Sequence, residues 1–466
     1  MKRTVGQVIL VAGLGIGLHW GFRGIAADLP QIFPHLRREQ TPAVIPPLLE
    51  DEGEATEELP LPEGTVPLKR AGEIPLQPSN RLVQSTQLPE LSDIGGVPTS
   101  LQFNIPPALV PIVDFWKKIY AVYDTNQVVL HDRDYLEIEY GVVEAGPFQE
   151  ERVRQEVERV RAILTELDQW RSGEPISQEA KRIAYLFRNL SEPDKYESAK
   201  ERIRTQTGLR DKFEEGLQRS GRYMPLFEQI FQGYGVPKEI TRLAFVESLF
   251  KERAFSKVRA AGLWQFMPGT ARRYMTVNQW IDERYDPVVA THGAAKLLLR
   301  NYELLGTWPL AINAYNSGVG NLQKAVSVLG TKDIAEIITR YKNGSYAFSS
   351  RNFYPSFLAA LSLYENQEKN FGPIAKDPPL EFDLVQLPST MTFPEIAYLA
   401  NTPLDTLKEL NPGFVSKVFQ GEFAVPSGSQ VRIPRGQHEL FSSRFVNSSP
   451  TIDFSNTAKG PMISKE

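Results

Sequence analysis

The sequence contains no cysteine among its 466 residues. Disulfides, thiolate nucleophiles, cysteine-ligated metal sites and a lipid-modified N-terminal cysteine are therefore excluded. The sequence also lacks a strong charge imbalance, because its formal net charge is −4 and no strongly basic block is present. Nucleic acid is accordingly not expected as the main partner.

Long apolar runs are scarce. Val8–Leu18 has about the length of a signal-peptide core and follows two basic residues. The wider stretch Val5–Phe22 reaches roughly the lower limit of a membrane span, although Gln7 and His19 weaken that interpretation. Residues 1–27 are therefore expected to direct export, either as a cleaved signal peptide or as an uncleaved membrane anchor.

Changes in composition predict the order of the remaining segments. Residues 28–104 are rich in Pro and Glu without a sustained period, which predicts a disordered linker. Residues 105–204 are predicted to be a mostly helical region, with an aromatic stripe from Ile112 to Tyr123 as core and short strands between Gln127 and Val143. The polar, Ser-rich residues 435–466 are predicted to be a disordered tail.

Apolar spacing and Gly or Pro boundaries predict further helices. They are expected near Gln178–Leu190, Pro287–Leu305, Pro309–Tyr315, Val319–Leu329 and Phe353–Glu368.

A carboxylate stands within the apolar segment Leu243–Phe250, which is predicted to be a helix. Leu243, Ala244 and Phe250 lie three or four residues from Glu247 and would share its face. Burial raises the pKa of a carboxyl group, which suits a proton donor to a glycosidic oxygen. The alternative is a structural ion pair with an arginine, namely Arg242, Arg253 or Arg259.

The loop Ala260–Met267 combines small residues, large apolar side chains and one amide. Gly262 permits a sharp turn, and Gln265 can both donate and accept hydrogen bonds, as an N-acetyl or hydroxyl group requires. Apolar walls with a few polar groups are typical of a ligand site. For this loop taken alone, core packing remains the alternative.

Two blocks, in order along the chain, carry a family resemblance. The first joins Glu247-Ser248 to AFS at 254–256 and AAGLWQFM at 260–267, and the second is AINAYNSGVG at 311–320. Together they resemble the lytic transglycosylase domain of the soluble (Slt-type) and membrane-bound D (MltD-type) murein enzymes. The resemblance covers about residues 205–370.

The resemblance implies a mainly α, goose-lysozyme-like fold and non-hydrolytic cleavage of the MurNAc–GlcNAc β-1,4 bond of peptidoglycan. Glu247 would be the single catalytic residue, acting first as acid and then as base to give 1,6-anhydro-MurNAc ends. Ser248 would orient the acid or the substrate. Motif positions imply further substrate-binding residues, namely Gln265, Phe266, Met267, Tyr315 and Asn316. No metal or cofactor is implied.

One stretch departs from the family pattern. Where the family usually has Asn-Tyr-Val-Pro, this chain has Asn-Phe-Tyr-Pro at 352–355. Phe353 takes the tyrosine position, so either Tyr354 supplies the hydroxyl for substrate binding or the hydroxyl is absent. No second carboxylate has a motif of its own, and Glu252 and Glu283 are interpreted as surface charges.

Residues 381–434 resemble a LysM module, a small βααβ unit that binds N-acetylglucosamine polymers. Thr390-Met391-Thr392 replaces the usual Gly-Asp-Thr opening. The resemblance therefore predicts the α+β fold of this module and leaves its glycan binding open, with a small packing domain as the alternative.

The leading hypothesis is an exported lytic transglycosylase of the cell envelope, with peptidoglycan glycan strands as its partner. It would be soluble in the periplasm after signal cleavage or anchored by the N-terminal segment. Two alternatives remain open: a hydrolytic muramidase on the same fold, and a peptidoglycan-binding or scaffolding protein with a weak or inactive site. His131 and His292 lack partners at metal-ligand spacing, so no metal site is predicted.

Overall fold

The computed structural model describes residues 69–70, 103–144, 146, 149–171 and 176–447. The predicted export segment, most of the predicted linker and the last nineteen residues of the predicted tail lie outside the described residues. Every described residue belongs to one compact unit. A search of the described helices for one long and apolar enough to span a bilayer finds none.

Helices dominate the described part of the chain, which confirms the predicted mainly α class. The helices are α1 (Val110–Ala121), α2 (Gln149–Gln169), α3 (Gln178–Leu186), α4 (Lys195–Lys200), α5 (Arg210–Gly233), α6 (Leu243–Ser248), α7 (Pro268–Ala271), α8 (Pro287–Leu305), α9 (Trp308–Ser317), α10 (Val319–Leu329), α11 (Ile334–Arg340), α12 (Phe348–Glu365), α13 (Gln367–Phe371), α14 (Phe393–Leu399), α15 (Leu404–Leu410), α16 (Ser416–Phe419) and α17 (His438–Asn447). The strands are β1 (Lys69–Arg70), β2 (Gln127–Asp132), β3 (Glu139–Glu144), β4 (Ile203–Thr207), β5 (Asp383–Gln386), β6 (Phe423–Ala424) and β7 (Gln430–Ile433).

Helix boundaries follow local capping chemistry. The Asp286 carboxylate accepts hydrogen bonds from the second and third N–H groups of α8, and Gly306 ends that helix at a φ of 83°. The predicted bounds of α8 and α10 are confirmed at both ends. The helix predicted at Phe353–Glu368 instead begins at Phe348 and is interrupted after Glu365.

The N-terminal region predicted at residues 105–204 packs directly against the helices that follow it, and together they form the helical body. Strand β2 lies between β3 and β4 in an antiparallel sheet, and β4 spans the boundary predicted at residue 204/205. Helix α1 packs against both α5 and α12. The middle of its aromatic stripe is buried as predicted, whereas Ile112 and Tyr123 at the ends are half-buried. The Trp116 indole N–H donates to Asn352 Oδ1 of α12 at 2.8 Å.

The C-terminal unit has the βααβ order predicted for it. Strands β5 and β7 pair antiparallel, with Asp383 opposite Ile433, and α14 and α15 lie between them in sequence. Thr392, in the altered opening, caps α14 through reciprocal hydrogen bonds with Glu395. The residues 381–447 are called the LysM-like module below, because α17 extends the unit.

Two predictions of disorder are wrong where the structure describes the residues. The predicted tail contains α17, because Phe441 is fully buried in the core of the module and anchors the helix despite its polar neighbours. Within the predicted linker, β1 pairs antiparallel with β6, and the Phe103 ring contacts Phe357 edge to face at 5.5 Å between centroids.

The segment 276–286 joins the LysM-like module to the helical body. Trp280 packs on the core of the module, with its ring centroid 3.7 Å from that of Phe423. The Asp282 N–H donates to the Gly413 carbonyl oxygen at 2.7 Å. Arg432 of β7 forms a buried ion pair with Asp286, with 2.5 Å between Nη1 and Oδ2. The module is therefore held by apolar, backbone and ionic contacts.

Candidate active site

The helix that carries Glu247 is shorter than the sequence suggested. It ends at Ser248, and Leu249 and Phe250 have left-handed φ values of 52° and 58°. Phe250 therefore does not extend the helical face, and this part of the prediction is wrong. Phe250 is nevertheless fully buried, with its ring centroid 4.7 Å from that of Phe245, so the surroundings of α6 remain apolar.

Glu247 is 4% exposed. Among the described residues it makes no hydrogen bond and no ion pair. Burial therefore raises its pKa well above the usual value for a glutamic acid. This shift favours the neutral form of the carboxyl group, as a proton donor requires.

The three arginines considered as ion-pair partners are engaged or directed elsewhere. Arg242 pairs with Glu228 at 2.5 Å. The guanidinium of Arg253 lies over the ring of Tyr285, and Arg259 is exposed. The structural ion-pair interpretation of Glu247 is therefore excluded.

The loop Ala260–Met267 is tied to the Glu247 helix by Ser248. The Ser248 hydroxyl donates to the Leu263 carbonyl oxygen at 2.7 Å. Gln265 adopts a left-handed φ of 48°, and its Nε2 donates to the Gly262 carbonyl oxygen at 2.7 Å. Its buried Oε1 has no hydrogen-bond partner among the described residues, which leaves an acceptor for a ligand N–H or O–H group.

Arg284, which sequence reasoning missed, supports the far side of this loop. Its Nη1 donates to the carbonyl oxygens of Arg259 at 2.8 Å and Phe266 at 3.1 Å, while Nε and Nη2 bond the Asp282 carboxylate. No motif signalled this role, because the contacts reach backbone atoms up to 25 residues away. Gly262 fits against this support because it has no side chain: an added Cβ would lie 1.6 Å from the Arg284 carbonyl oxygen.

The second block approaches the same loop. The Tyr315 hydroxyl donates to the Trp264 carbonyl oxygen at 2.9 Å, and its ring meets Phe266 edge to face at 6.0 Å. Burial raises the pKa of Tyr315 well above its usual value, and the nearby charge of Glu247 adds to this effect. Asn316 follows in α9, and its Oδ1 accepts from the Ser350 hydroxyl at 3.4 Å.

The structure brings most of the predicted site residues together. Glu247, Ser248, Gln265, Phe266 and Tyr315 are linked through α6, the loop and α9. Met267, which follows in the loop, is 44% exposed.

Tyr354 lies apart from this group. It is 2% exposed, stacks on Phe357 and borders a cavity of about 270 Å³ whose walls include Phe103, Thr307 and Asp333. None of the other predicted site residues lines that cavity. This placement gives no support to the predicted role of Tyr354 in substrate binding.

The interpretation of Glu252 and Glu283 as surface charges is wrong, because both are partly buried and hydrogen-bonded. Glu252 accepts from the Tyr223 hydroxyl. Glu283 accepts from the Thr276 N–H at 2.5 Å, and burial raises its pKa. Each carboxylate thus has a structural partner within the helical body.

The two histidines considered for metal binding have other contacts. His131 Nδ1 lies 2.8 Å from the Asp132 carbonyl oxygen, and His292 Nδ1 lies 3.2 Å from the Tyr234 hydroxyl. Burial lowers the pKa of each to about 4. Over the described residues, no group of three or more potential metal ligands is found.

Two family models match separate parts of the chain. A model described as a transglycosylase SLT domain matches residues 225–338, which contain Glu247, the loop and α9. A model described as the LysM-like domain of lytic transglycosylase MltD matches residues 381–448. The chain thus carries an SLT transglycosylase domain followed by an MltD-type LysM-like domain, and the second match includes α17.

Similar curated proteins include the membrane-bound lytic murein transglycosylase D of Escherichia coli strain K12. It is 30% identical over 182 residues, which are 38% of this chain and 39% of that protein. A putative tributyltin chloride resistance protein of Alteromonas sp. strain M-1 is 31% identical over 99 residues, which are 21% of this chain and 48% of that protein. The chain therefore spans less than half the length of these relatives.

Proposed function

We propose that the protein is a lytic murein transglycosylase that cleaves the MurNAc–GlcNAc β-1,4 bond of peptidoglycan and leaves 1,6-anhydro-MurNAc ends. The observation that carries the proposal is Glu247, a buried carboxyl group without a pairing partner among the described residues, beside a loop with a free amide acceptor. The SLT domain match and the lytic transglycosylase activity in the name of the Escherichia coli relative support the same reaction class.

Glu247 acts first as a general acid. Its raised pKa favours the protonated carboxyl group, which donates this proton to the glycosidic oxygen as the bond to C1 of MurNAc breaks. An oxocarbenium-like centre develops at C1. The apolar surroundings of α6 favour the neutral acid before transfer and strengthen the basicity of the carboxylate afterwards.

The same carboxylate then acts as a general base. It removes the proton of the 6-hydroxyl group of MurNAc, whose oxygen attacks C1 and closes the anhydro ring, and the acid is regenerated. A hydrolytic route would instead use a second carboxylate to activate water or to form a covalent intermediate. Glu252 and Glu283 are bonded to Tyr223 and Thr276, which favours the route with one carboxylate.

Glycan contacts are assigned to the residues around this acid. The Oε1 of Gln265, which has no hydrogen-bond partner among the described residues, would accept from an N-acetyl or hydroxyl group, and the exposed Met267 would offer an apolar contact. Ser248 and Tyr315 hold the loop through backbone oxygen atoms. Phe266 and Asn316 complete the proposed set.

The substrate places the protein in the cell envelope. The Escherichia coli relative is named as membrane-bound. The export segment predicted at 1–27 would deliver the chain to the periplasm, either released or anchored.

Mass spectrometry of the fragments released from purified murein tests the proposal. We expect fragments ending in anhydro-MurNAc, each one water lighter than a reducing end. Glu247→Gln should lower their release by about 10²- to 10⁴-fold, the usual contribution of a general acid–base residue, with the circular dichroism spectrum unchanged. Reducing ends would establish a hydrolytic muramidase instead. Binding to insoluble murein without release of fragments would establish a scaffolding protein.

A further inference from the structure

The loop that holds Gln265 is flanked by a basic stretch of surface. Residues 251–273 contain six basic residues and one acidic residue, whereas the whole chain has a formal net charge of −4. All six basic residues are exposed. They are called the basic rim below and are Lys251, Arg253, Lys257, Arg259, Arg272 and Arg273. Positive charge is thus concentrated beside the proposed site of a protein that is acidic overall.

Hydrogen bonds fix the backbone of the basic rim to the same loop. The Ala254 carbonyl oxygen, which directly follows Arg253, accepts from the Nε2 of Gln265 at 3.3 Å. The Arg259 carbonyl oxygen accepts at 2.8 Å from Arg284, the side chain that also supports the loop. The basic rim and the proposed glycan-binding loop are therefore directly bonded neighbours.

The charges of the basic rim are not neutralised by the fold. Among the described residues, none of the six side chains forms an ion pair. Glu252, the one acidic residue of the stretch, accepts from the Tyr223 hydroxyl. Asp282, a little further along the chain, pairs with Arg284. Nearby carboxylates are thus engaged with other groups.

Surface arginines on another element have partners. On α2, three arginines each pair with the glutamate three residues before them, as is usual for a solvated helical face. The basic rim lacks such pairs within the described part of the chain, so the repulsion among its like charges is left uncompensated. An anionic ligand would relieve this repulsion.

The proposed substrate supplies anionic groups close to its reacting atom. Each stem peptide of murein is attached to the lactyl group of MurNAc, the sugar whose C1 reacts, and carries free carboxylates. An extended chain spans about 3.3–3.6 Å per residue, so carboxylates on the second to fifth stem residues lie about 7–18 Å from the attachment point. Carboxylates are also the natural partners of Lys and Arg side chains.

An anionic membrane surface is the competing partner. Phe255 and Val258, within the same stretch, are 54% and 57% exposed, and apolar side chains among basic ones favour a bilayer interface. The basic rim is bonded to the loop assigned to glycan, however, so a bilayer lying on it would compete with the substrate. A peptide attached to the glycan can contact the basic rim and the loop at once, which favours the stem peptide.

We propose that the basic rim binds the carboxylates of the murein stem peptide, so that the protein prefers glycan strands whose stems are negatively charged. The proposal rests on the function proposed above and specifies which part of the substrate is recognised beyond the sugars. The exposed Phe255 and Val258 would contact apolar atoms of the same peptide.

The test compares two substrates and two variants of the full chain. The substrates are native murein and murein whose carboxylates have been converted to amides with carbodiimide and ammonium ions, which removes the charge and keeps the stems. Lys251→Gln/Lys257→Gln lowers the charge of the basic rim. Lys181→Gln/Lys369→Gln is the matched control, because it makes the same change at exposed lysines of α3 and α13.

The quantity measured is the ratio of kcat/KM on native murein to kcat/KM on amidated murein. This ratio should exceed one in wild type and fall about 2- to 30-fold in Lys251→Gln/Lys257→Gln, the size expected for two exposed charge pairs. Lys181→Gln/Lys369→Gln should keep the wild-type ratio. Equal ratios in Lys251→Gln/Lys257→Gln and wild type would overturn the proposal.

A measurement on wild type alone keeps the proposal testable if the variant unfolds. Raising the salt concentration from 0.1 M to 1 M shortens the Debye length from about 10 Å to about 3 Å. The preference for native murein should shrink accordingly. A preference that persists unchanged at 1 M salt would show that charge on the stem is not what is recognised.

Cosedimentation with phosphatidylglycerol vesicles tests the competing partner. If Lys251→Gln/Lys257→Gln abolishes vesicle binding and keeps the wild-type preference for native murein, the basic rim belongs to a membrane contact and the proposal is wrong. Binding of Glu247→Gln to the two insoluble mureins requires no turnover. Tighter binding to native murein, in a protein whose wild type releases no anhydro fragments, would reject the proposed function and support stem recognition.

Discussion

Glu247 and Asp286 are buried to almost the same extent, at 4% and 6% exposure, but their surroundings differ. Glu247 has no hydrogen bond or ion pair among the described residues. Asp286 accepts from the N–H groups of Val288 and Val289 and pairs with Arg432. The comparison shows that burial alone does not define a functional acid. The carboxylate of Asp286, with its full set of partners, fixes the junction between the LysM-like module and the helical body. The carboxyl group of Glu247, without partners among the described residues, has its pKa raised by burial, as the proposed role of an acid requires.

Arg284 connects these two regions. It follows Asp282, which bonds the LysM-like module through Gly413, and it precedes Asp286 by two residues. Its guanidinium reaches the carbonyl oxygen of Phe266 in the loop beside Glu247. The contacts made by the LysM-like module are therefore continuous with the support of the proposed glycan-binding loop.

The largest effect is expected where the two regions meet. Gly262→Ala would place a Cβ 1.6 Å from the Arg284 carbonyl oxygen at a φ of 77°. Backbone strain and overpacking each cost about 1–3 kcal/mol, so urea unfolding should show a loss of up to about 6 kcal/mol. Gly269→Ala is the control, because no atom lies within 4 Å of its added Cβ. Similar losses in the two variants would contradict this account of the loop.

A smaller but still large effect is expected at the junction. Arg432→Leu leaves the buried Asp286 carboxylate without its ion-pair partner, which typically costs about 3–5 kcal/mol. The matched control is Arg435→Leu, three residues along the chain, where both members of the pair with Glu381 are more than 60% exposed and the expected loss is about 0–1 kcal/mol. Chemical unfolding measures both. The double variant Asp286→Asn/Arg432→Leu should recover part of the loss, and no recovery would mean that Arg432 acts through packing alone.

The effect that is smallest per pH unit concerns Glu247, where the substitution is expected to stabilise the folded state rather than to destabilise it. The pKa of this group is raised in the folded state, so its favourable contribution is fully present below the unfolded value of 4.5 and is lost as pH rises through the folded value. Glu247→Gln removes this dependence. Unfolding curves from pH 4 to 8 should show the variant gaining on wild type with rising pH, by at most about 1.4 kcal/mol per pH unit. Parallel pH profiles would show that Glu247 is not buried as described.

Local chemistry made much of the helical body predictable. Asp286 with Pro287 marks the start of α8, and a glycine ends both α8 and α10, so these bounds could be read from short stretches. The apolar neighbours of Glu247 likewise predicted its burial. The end of α6 was missed because Leu249 and Phe250 adopt left-handed conformations that such side chains rarely take.

The contacts that were not predictable join residues far apart in sequence. Arg432 and Asp286 are separated by 146 positions, and neither has a motif that names the other. Tyr120 was interpreted correctly as a core aromatic residue, but its stacking on Phe213 of α5 depends on how α1 packs. Helix α17 was missed because its polar composition conceals one buried anchor, Phe441.

The sequence separation of the junction has a consequence during synthesis. At about 5–20 residues per second, Arg432 leaves the ribosome roughly 7–30 s after Asp286. Throughout that interval Asp286 lacks its counterion and Trp280 lacks the apolar surface that covers it. The helical body therefore spends its first seconds as an incomplete unit with an exposed tryptophan. Folding of this body is therefore completed only after β7 of the LysM-like module has been synthesised, and not when the last helix of the body itself has been made.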